Sequence, residues 1–327
     1  MSGNAPLVTI FGGSGFLGRH IARRMAKAGW RVRVAVRRPN EALFVRPYGT
    51  PGQVEPVLAN IRDDASVAAA LRGADAVVNC VGILAQTSRQ RFETVHAEGA
   101  RRIASLAAAA GITNFVHVSA LGADAESNSV NARSKAEGEA YVLETQPGAT
   151  ILRPSVMFGK DDTFFNRFAT LTRFMPVMFL PGLNTRFQPV YVDDVAAAAE
   201  AALRDGHAGV FELGGPVAET LRETLGRMLR ITRRRRLLLN MPDWLGRFFG
   251  GVIEFSHWLT LGIVPKLLTR DQVRQLRYDN VVAPDALGFA ELGITPTPMD
   301  LILPEYLWRF RPDGQFEALT ESARNLR

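Results

Sequence analysis

Leu7-Val8-Thr9-Ile10-Phe11-Gly12-Gly13-Ser14-Gly15-Phe16-Leu17-Gly18-Arg19 is the stretch that decides the fold. Five apolar or β-branched residues in a row read as a short strand buried on both faces. Glycines then interrupt it, and Phe16, Leu17, Ile21 and Met25 recur at the spacing of one helix face. A strand, a glycine-rich turn and a helix in that order open a βαβ unit. Outward from it the alternation repeats. Strands are expected at Arg31–Val36, near Val54–Ala59, and at Ala76–Val81, Phe115–Ser119 and Thr150–Arg153. Helices are expected from Asp64 to about Arg72, over Glu93–Ala110 and over Ala132–Glu144. The expected fold class is α/β: a Rossmann-like doubly wound parallel sheet with a smaller, mostly helical C-terminal lobe. Val190–Val195 and Val210–Leu213 read as returns to that sheet. The expected domains are 1–215, with 155–185 contributing in part to the second lobe, and 216–327.

The glycines of Gly12-Gly13-Ser14-Gly15-Phe16-Leu17-Gly18 stand in G-x-x-G-x-x-G spacing. Such a turn lets the backbone approach a pyrophosphate, and the helix start presents free N–H groups and a positive dipole end to it. A site that takes NAD usually ends its second strand with an acid for the ribose 2′-hydroxyl. This chain has Arg37 and Arg38 there, and Arg19 follows the last glycine. Guanidinium groups favour a 2′-phosphate, so NADP(H) is the expected cofactor.

The chain has 327 residues, 47% hydrophobic and 22% charged, which excludes a disordered or collagen-like protein. Its 39 Lys and Arg against 32 Asp and Glu leave a net charge of +7, which favours anionic partners: a phosphorylated cofactor, phospholipid headgroups or nucleic acid. The single cysteine, Cys80, excludes an intramolecular disulfide, and five histidines without paired spacing give no reason to expect a metal. Cys80 reads as a small buried apolar residue and His96 as a hydrogen-bonded helix residue. The start shows neither a secretory nor an Arg-rich targeting pattern, so a non-secreted chain is expected.

Arginines crowd residues 222–247, and an apolar stretch runs from Trp244 to Leu268. Its longest uncharged run, Phe255 to Pro265, is too short for the ~20 residues of a spanning helix. Two readings stand: an amphipathic element against an anionic phospholipid surface or membrane subunit, or a core helix of the lobe. The arginine run is flanked by Leu237-Leu238-Leu239 rather than by base-stacking aromatics, so nucleic acid is not the expected partner. Pro296, Pro298, Pro304 and Pro312 suggest an irregular tail over 284–327.

The glycine turn, Asn60-Ile61-Arg62-Asp63, Asn79-Cys80-Val81-Gly82, Val116-His117-Val118-Ser119 and Leu152-Arg153-Pro154-Ser155-Val156-Met157-Phe158-Gly159 together resemble the extended or atypical short-chain dehydrogenase/reductases. The resemblance covers roughly residues 7 to 215. It implies that Asp63 contacts the adenine, that Cys80, Val81 and Gly82 lie along the cofactor, and that Arg153, Pro154 and Val156 pass near the nicotinamide. Active members carry a Tyr four residues before a Lys, and that Tyr relays a proton while hydride moves. Here the Lys is Lys135 but the Tyr position is Asn131, whose amide exchanges no proton near neutral pH. Tyr141 is on the same helix, turned away from that face. Ser119 could still bond a carbonyl oxygen, and Lys135 the nicotinamide ribose. The implied catalytic site (Ser119, Asn131, Lys135) is therefore degenerate.

An intact turn, 2′-phosphate arginines and a missing Tyr resemble the accessory-subunit branch of that family in respiratory complex I. This branch implies tightly held NADPH as a structural ligand. It also implies other complex I subunits as partners near the junction of the hydrophilic and membrane arms, and a role in assembly or stability. The implied place is peripheral, on the cytoplasmic side of a bacterial inner membrane or the matrix side of a mitochondrial one. An active NADP-dependent reductase or epimerase, with Ser119 and Lys135 retained, stays open as the alternative. An RNA-binding relative is a weaker one.

Overall fold

The computed structural model describes residues 5–87, 90–242, 270–312 and 314. The apolar stretch expected at 244–268 and the last residues of the tail lie outside the described residues.

The strands are β1 (Leu7–Phe11), β2 (Arg31–Val36), β3 (Val54–Leu58), β4 (Ala76–Asn79), β5 (Asn114–Val118), β6 (Thr150–Pro154), β7 (Met157–Phe158), β8 (Val177–Leu180), β9 (Arg186–Phe187), β10 (Val190–Tyr191), β11 (Gly209–Leu213), β12 (Glu219–Thr220) and β13 (Leu237–Asn240). The helices are α1 (Phe16–Lys27), α2 (Asp64–Leu71), α3 (Glu98–Ala109), α4 (Val130–Thr145), α5 (Phe165–Phe174), α6 (Val192–Asp205), α7 (Leu221–Ile231), α8 (Arg270–Gln275) and α9 (Met299–Leu307). Seven strands form one sheet in the order β11-β6-β5-β4-β1-β2-β3. Every pairing in it is parallel. β1 is buried along its whole length, as a central strand covered on both faces must be. The chain turns back between β1 and β4, and ligands of such sheets bind beyond the carboxyl ends of the strands at that switch point.

Two compact units divide the chain. The first holds residues 1–155, 192–213 and 282–296, and the second holds 156–191, 214–281 and 297–327. Phe11, Phe115, Ile103, Leu71 and Ile151 pack within the core of the first. Phe158, Phe165, Leu225, Met228 and Leu303 pack within that of the second.

Three local expectations are corrected. Val190–Tyr191 does not rejoin the main sheet but pairs with β7 in a two-stranded parallel sheet. The helix expected at Glu93 begins as one π-helical turn, Glu93–Ala97, before α3. The tail is not irregular throughout: α9 forms despite Pro304 and buries Met299, Leu303, Tyr306 and Leu307. Four apolar side chains buried over nine residues outweigh the one hydrogen bond a proline removes. Among the described residues no helix is long and apolar enough to cross a membrane.

Candidate functional site

Phe11 ends β1, and the chain turns at Gly12, whose φ of +75° favours glycine. A Cβ on Gly12 would press on the backbone of Cys80 and Val81 at 3.2 to 3.3 Å, so the turn lies directly against the end of β4. Gly18 is tighter still: a Cβ there would meet Gly13 Cα at 2.7 Å and the Gly12 carbonyl oxygen closer than that. The first turn of α1 therefore sits on the glycine loop. This helix has no side-chain cap and no acidic residue in its first turn. By contrast Asp63 caps α2, Ser129 caps α4, and Thr220 with Glu223 forms a capping box on α7. The amides of Phe16, Leu17 and Gly18 have no intrahelical acceptor by geometry, so this uncapped start is suited to an anion. Asp193, at the start of α6, braces α1 from behind: it accepts from Arg24 at 2.7 Å, and Arg24 also reaches Glu200 at 3.2 Å.

Arg37 and Arg38 follow the end of β2. Arg38 is paired with Glu41 at 2.9 Å, both largely exposed, and Arg37 meets the side-chain amide of Gln90. Arg19 donates to the Gly15 and Ser14 carbonyls at 3.2 and 3.3 Å, and its guanidinium lies 5.1 Å from the Phe44 ring centre. Asp63 spends one carboxylate oxygen on the amides of Ala65 and Ser66. Cys80 is an inert thiol here, pushed up to about 12 by burial.

Ser119 follows β5. Its Oγ is buried, and no hydrogen-bond partner for it exists among the described residues. Asn131 and Lys135 occupy the first two turns of α4. Burial lowers Lys135 to about 8, with Glu139 one turn on opposing the shift. Tyr141 donates to Glu137 at 3.2 Å and its ring lies under Arg101 of α3. No phenol replaces the missing one on this helix.

Beneath these residues lies a polar layer that the sequence reading did not assemble. The Ile83 amide donates to His96 Nε2 at 3.0 Å, so His96 carries its proton on Nδ1 and donates to Ser134 Oγ at 3.1 Å. Ser134 in turn donates to the Asn131 carbonyl at 2.9 Å. Gly138 lets α4 close on this π turn, for a Cβ there would strike the His96 carbonyl oxygen. In β5, His117 Nδ1 accepts from the Asn79 amide at 3.1 Å, while Asn79 Oδ1 accepts from the Val81 amide at 3.1 Å. Burial first, and the nearby Lys135 second, hold both imidazoles down to about 3, so both are neutral. Arg153 is held by Glu139 at 2.6 Å and Glu212 at 3.6 Å, clamping β6 to α4 and β11. Glu139, one turn beyond Lys135, was readable from the i, i+4 spacing. Glu212, far off in sequence, was not.

The structure thus brings the glycine turn, Arg37, Arg38, Asp63, Cys80, Val81, Gly82, Ser119, Arg153 and Pro154 to strand ends on one edge of the sheet. Val156 opens the second unit.

Comparison with known proteins agrees with this frame. The chain is 33% identical over 313 residues to the rat protein "NADH dehydrogenase [ubiquinone] 1 alpha subcomplex subunit 9, mitochondrial", covering 93% of this chain and 80% of that one. It is 30% identical over 272 residues to a ceramide reductase of Caulobacter vibrioides, covering 83% and 84%. The NADPH-dependent quinone oxidoreductase QOR2 of Escherichia coli, solved with NADPH, shares the fold at a TM-score of 0.68 and 20% identity over 92% of this chain and 98% of that one. Residues 8–214 match the NAD dependent epimerase/dehydratase family, and with relatives this similar over most of its length the chain belongs to that family.

Proposed function

We propose that this protein is a catalytically silent accessory subunit of the respiratory NADH:ubiquinone oxidoreductase that binds NADPH as a structural ligand. One observation carries the reading: Asn131 stands where the proton-relaying phenol is needed, beside an intact glycine turn and a retained Lys135. Similarity to the rat complex I subunit over 93% of this chain supports it.

The residues present fit a dinucleotide. The uncapped helix start and the buried, unpartnered Ser119 hydroxyl are each satisfied by such a ligand. In this reading the amides of Phe16, Leu17 and Gly18 receive the pyrophosphate. Arg19, Arg37 and Arg38 receive the 2′-phosphate, and Asp63 faces the adenine. Cys80, Val81 and Gly82 line the cofactor, Ser119 and Lys135 hold the nicotinamide end, and Arg153, Pro154 and Val156 flank it. The bound nucleotide supplies a hydride donor. Lys135, lowered to about 8, still holds its proton at neutral pH, and the position four residues before it is Asn131 rather than a phenol that could hand a proton onward. The partners are other complex I subunits near the arm junction, and the place is peripheral, on the cytoplasmic or matrix face of the coupling membrane.

A second reading, an active NADP-dependent reductase, is favoured by the likeness to a ceramide reductase and by the free Ser119 hydroxyl. Gentle detergent extraction of native membranes, followed by a density gradient, separates the two. Comigration of the polypeptide, NADPH and NADH:quinone activity in one large particle is the expected result. A small soluble species that oxidises NADPH with a ketone, sugar or quinone would overturn the proposal.

A further inference from the structure

The charge of this protein is unevenly placed. The described residues of the first unit carry eighteen Lys and Arg against nineteen Asp and Glu, those of the second sixteen against eight, so the basic excess belongs to the second unit. Within it two carboxylate-free segments meet. No Asp or Glu occurs between Asp162 and Asp193, or between Glu223 and residue 242. β13 from the second segment pairs in parallel with β8 from the first, Leu237 opposite Val177 and Leu239 opposite Phe179.

Alternation along these strands buries Met178 and Leu238 and turns Val177, Phe179, Leu237 and Leu239 to the other face. An outward sheet face made wholly of apolar side chains is unusual for a protein surface. Phe179 is 55% exposed and Leu237 56%, and at the adjoining end of α5 Phe174 reaches 80%. Arginines rim the patch. Arg236 donates to the Thr172 carbonyl at 2.8 Å and Leu237 to that of Pro176 at 3.1 Å, which brings Arg234–Arg236 beside Arg173 and Phe174. Arg234 feels the charges of Arg236 and Arg173, after burial, as a lowering. Arg173 and Arg235 are exposed.

We propose that the β8–β13 face is a docking surface for the anionic phospholipid headgroup layer of a membrane, with Phe174 and Phe179 entering the acyl boundary and Arg173 and Arg235 meeting phosphates. Apolar area within an arginine rim, without a carboxylate in either segment, is complementary to that layer on both counts. The proposal gives the peripheral placement above a contact surface, and it rests on that placement only for the membrane concerned.

The test is flotation of the purified full-length protein with vesicles of phosphatidylcholine alone or with about one-third phosphatidylglycerol. Wild type is expected to float with the anionic vesicles only, less so as salt rises. Arg173→Ala with Arg235→Ala should weaken binding roughly 30-fold, at ~1 kcal/mol per arginine. Phe174→Ser with Phe179→Ser should weaken it by a similar factor. Both pairs lie on the surface, so circular dichroism and NADPH affinity should match wild type. Wild type that floats with neither vesicle, or variants that float as well as wild type, would overturn the proposal. If wild type ignores vesicles yet the variants no longer comigrate with complex I in the gradient, the face contacts a protein subunit and the lipid assignment is wrong. Failure of flotation alone leaves the accessory-subunit reading intact, because the gradient tests that separately.

Discussion

Replacing Gly18 by alanine tests the nucleotide site through geometry alone, because it adds one methyl group and no charge. The new Cβ would lie 2.7 Å from Gly13 Cα and 3.0 Å from the Gly12 carbonyl carbon, with the Gly12 oxygen nearer still. All three are backbone atoms of a loop pinned to β4, so no side chain can swing aside. Relief requires α1 to withdraw by about 1 Å, an overpacking strain of ~1–3 kcal/mol. The same withdrawal takes the helix-start amides from ~2.9 Å to ~3.9 Å from a pyrophosphate oxygen, beyond hydrogen-bonding range. Two charge-assisted bonds lost at ~1.5 kcal/mol each amount to ~3 kcal/mol, or about 150-fold in NADPH affinity. Gly226→Ala, in α7 of the second unit, is the control: nothing lies within 4 Å of the Cβ it would add. No shift is needed there, and NADPH affinity should stay within about twofold of wild type. Titration of NADPH fluorescence, beside thermal unfolding of each nucleotide-free variant, reads both effects. Gly18→Ala binding within twofold of wild type, or Gly226→Ala as damaging as Gly18→Ala, would refute the reasoning.

Acid should unfold this protein through its two neutral histidines. The folded values near 3 lie below the ordinary 6.5, so the unfolded chain binds more protons and stability falls as pH drops from about 6.5 toward 3. At pH 5 each histidine accounts for a loss of about 2 kcal/mol, and urea unfolding of His117→Asn should show roughly half the wild-type slope between pH 6.5 and 5. A flat wild-type profile would remove the argument. Arg38→Ala should lower NADPH affinity by about tenfold while leaving NADH unchanged, and Glu41→Gln, which releases Arg38 from its exposed pair, should raise NADPH affinity by about twofold. Equal losses for both nucleotides would place the 2′-phosphate elsewhere. Arg233 closes α7 in the left-handed region at φ +51°, so Arg233→Gly should stabilise the protein by ~0.5–1 kcal/mol, read as a small rise in Tm.

What could be read in the sequence was what is local. The strand, turn and helix at 7–27 and the repeated alternation after it specify a parallel sheet, because period and punctuation act within a few residues. The pairing of Asn131 with Lys135 was local too, since both stand on α4. What escaped was set by tertiary contact. Val190–Tyr191 has the composition of a sheet strand, yet its partner is β7, and nothing in five or six residues encodes a partner's identity. Pro304 read as a breaker, yet the apolar residues it interrupts are buried and hold α9 in place. The apolar face of β8 and β13 comes from segments about sixty residues apart, and only their pairing makes one surface of them.

The polar layer under the candidate site holds α4 in place. With Asn131 where the family's phenol stands, the proposed reading leaves Lys135 a ribose to bond and no relay to serve. Yet His96, Ser134 and the Asn131 carbonyl form an unbroken donor chain from the Ile83 amide, and Arg153 is doubly paired to Glu139 and Glu212. Buried polar groups tied this way cost several kcal/mol if one member is lost, and they keep α4 in a single position against the strand ends. A protein that only had to fold could replace such groups with aliphatic side chains of similar volume. In the proposed reading these groups keep Lys135 facing a bound nucleotide, which is the positioning a tightly held cofactor requires.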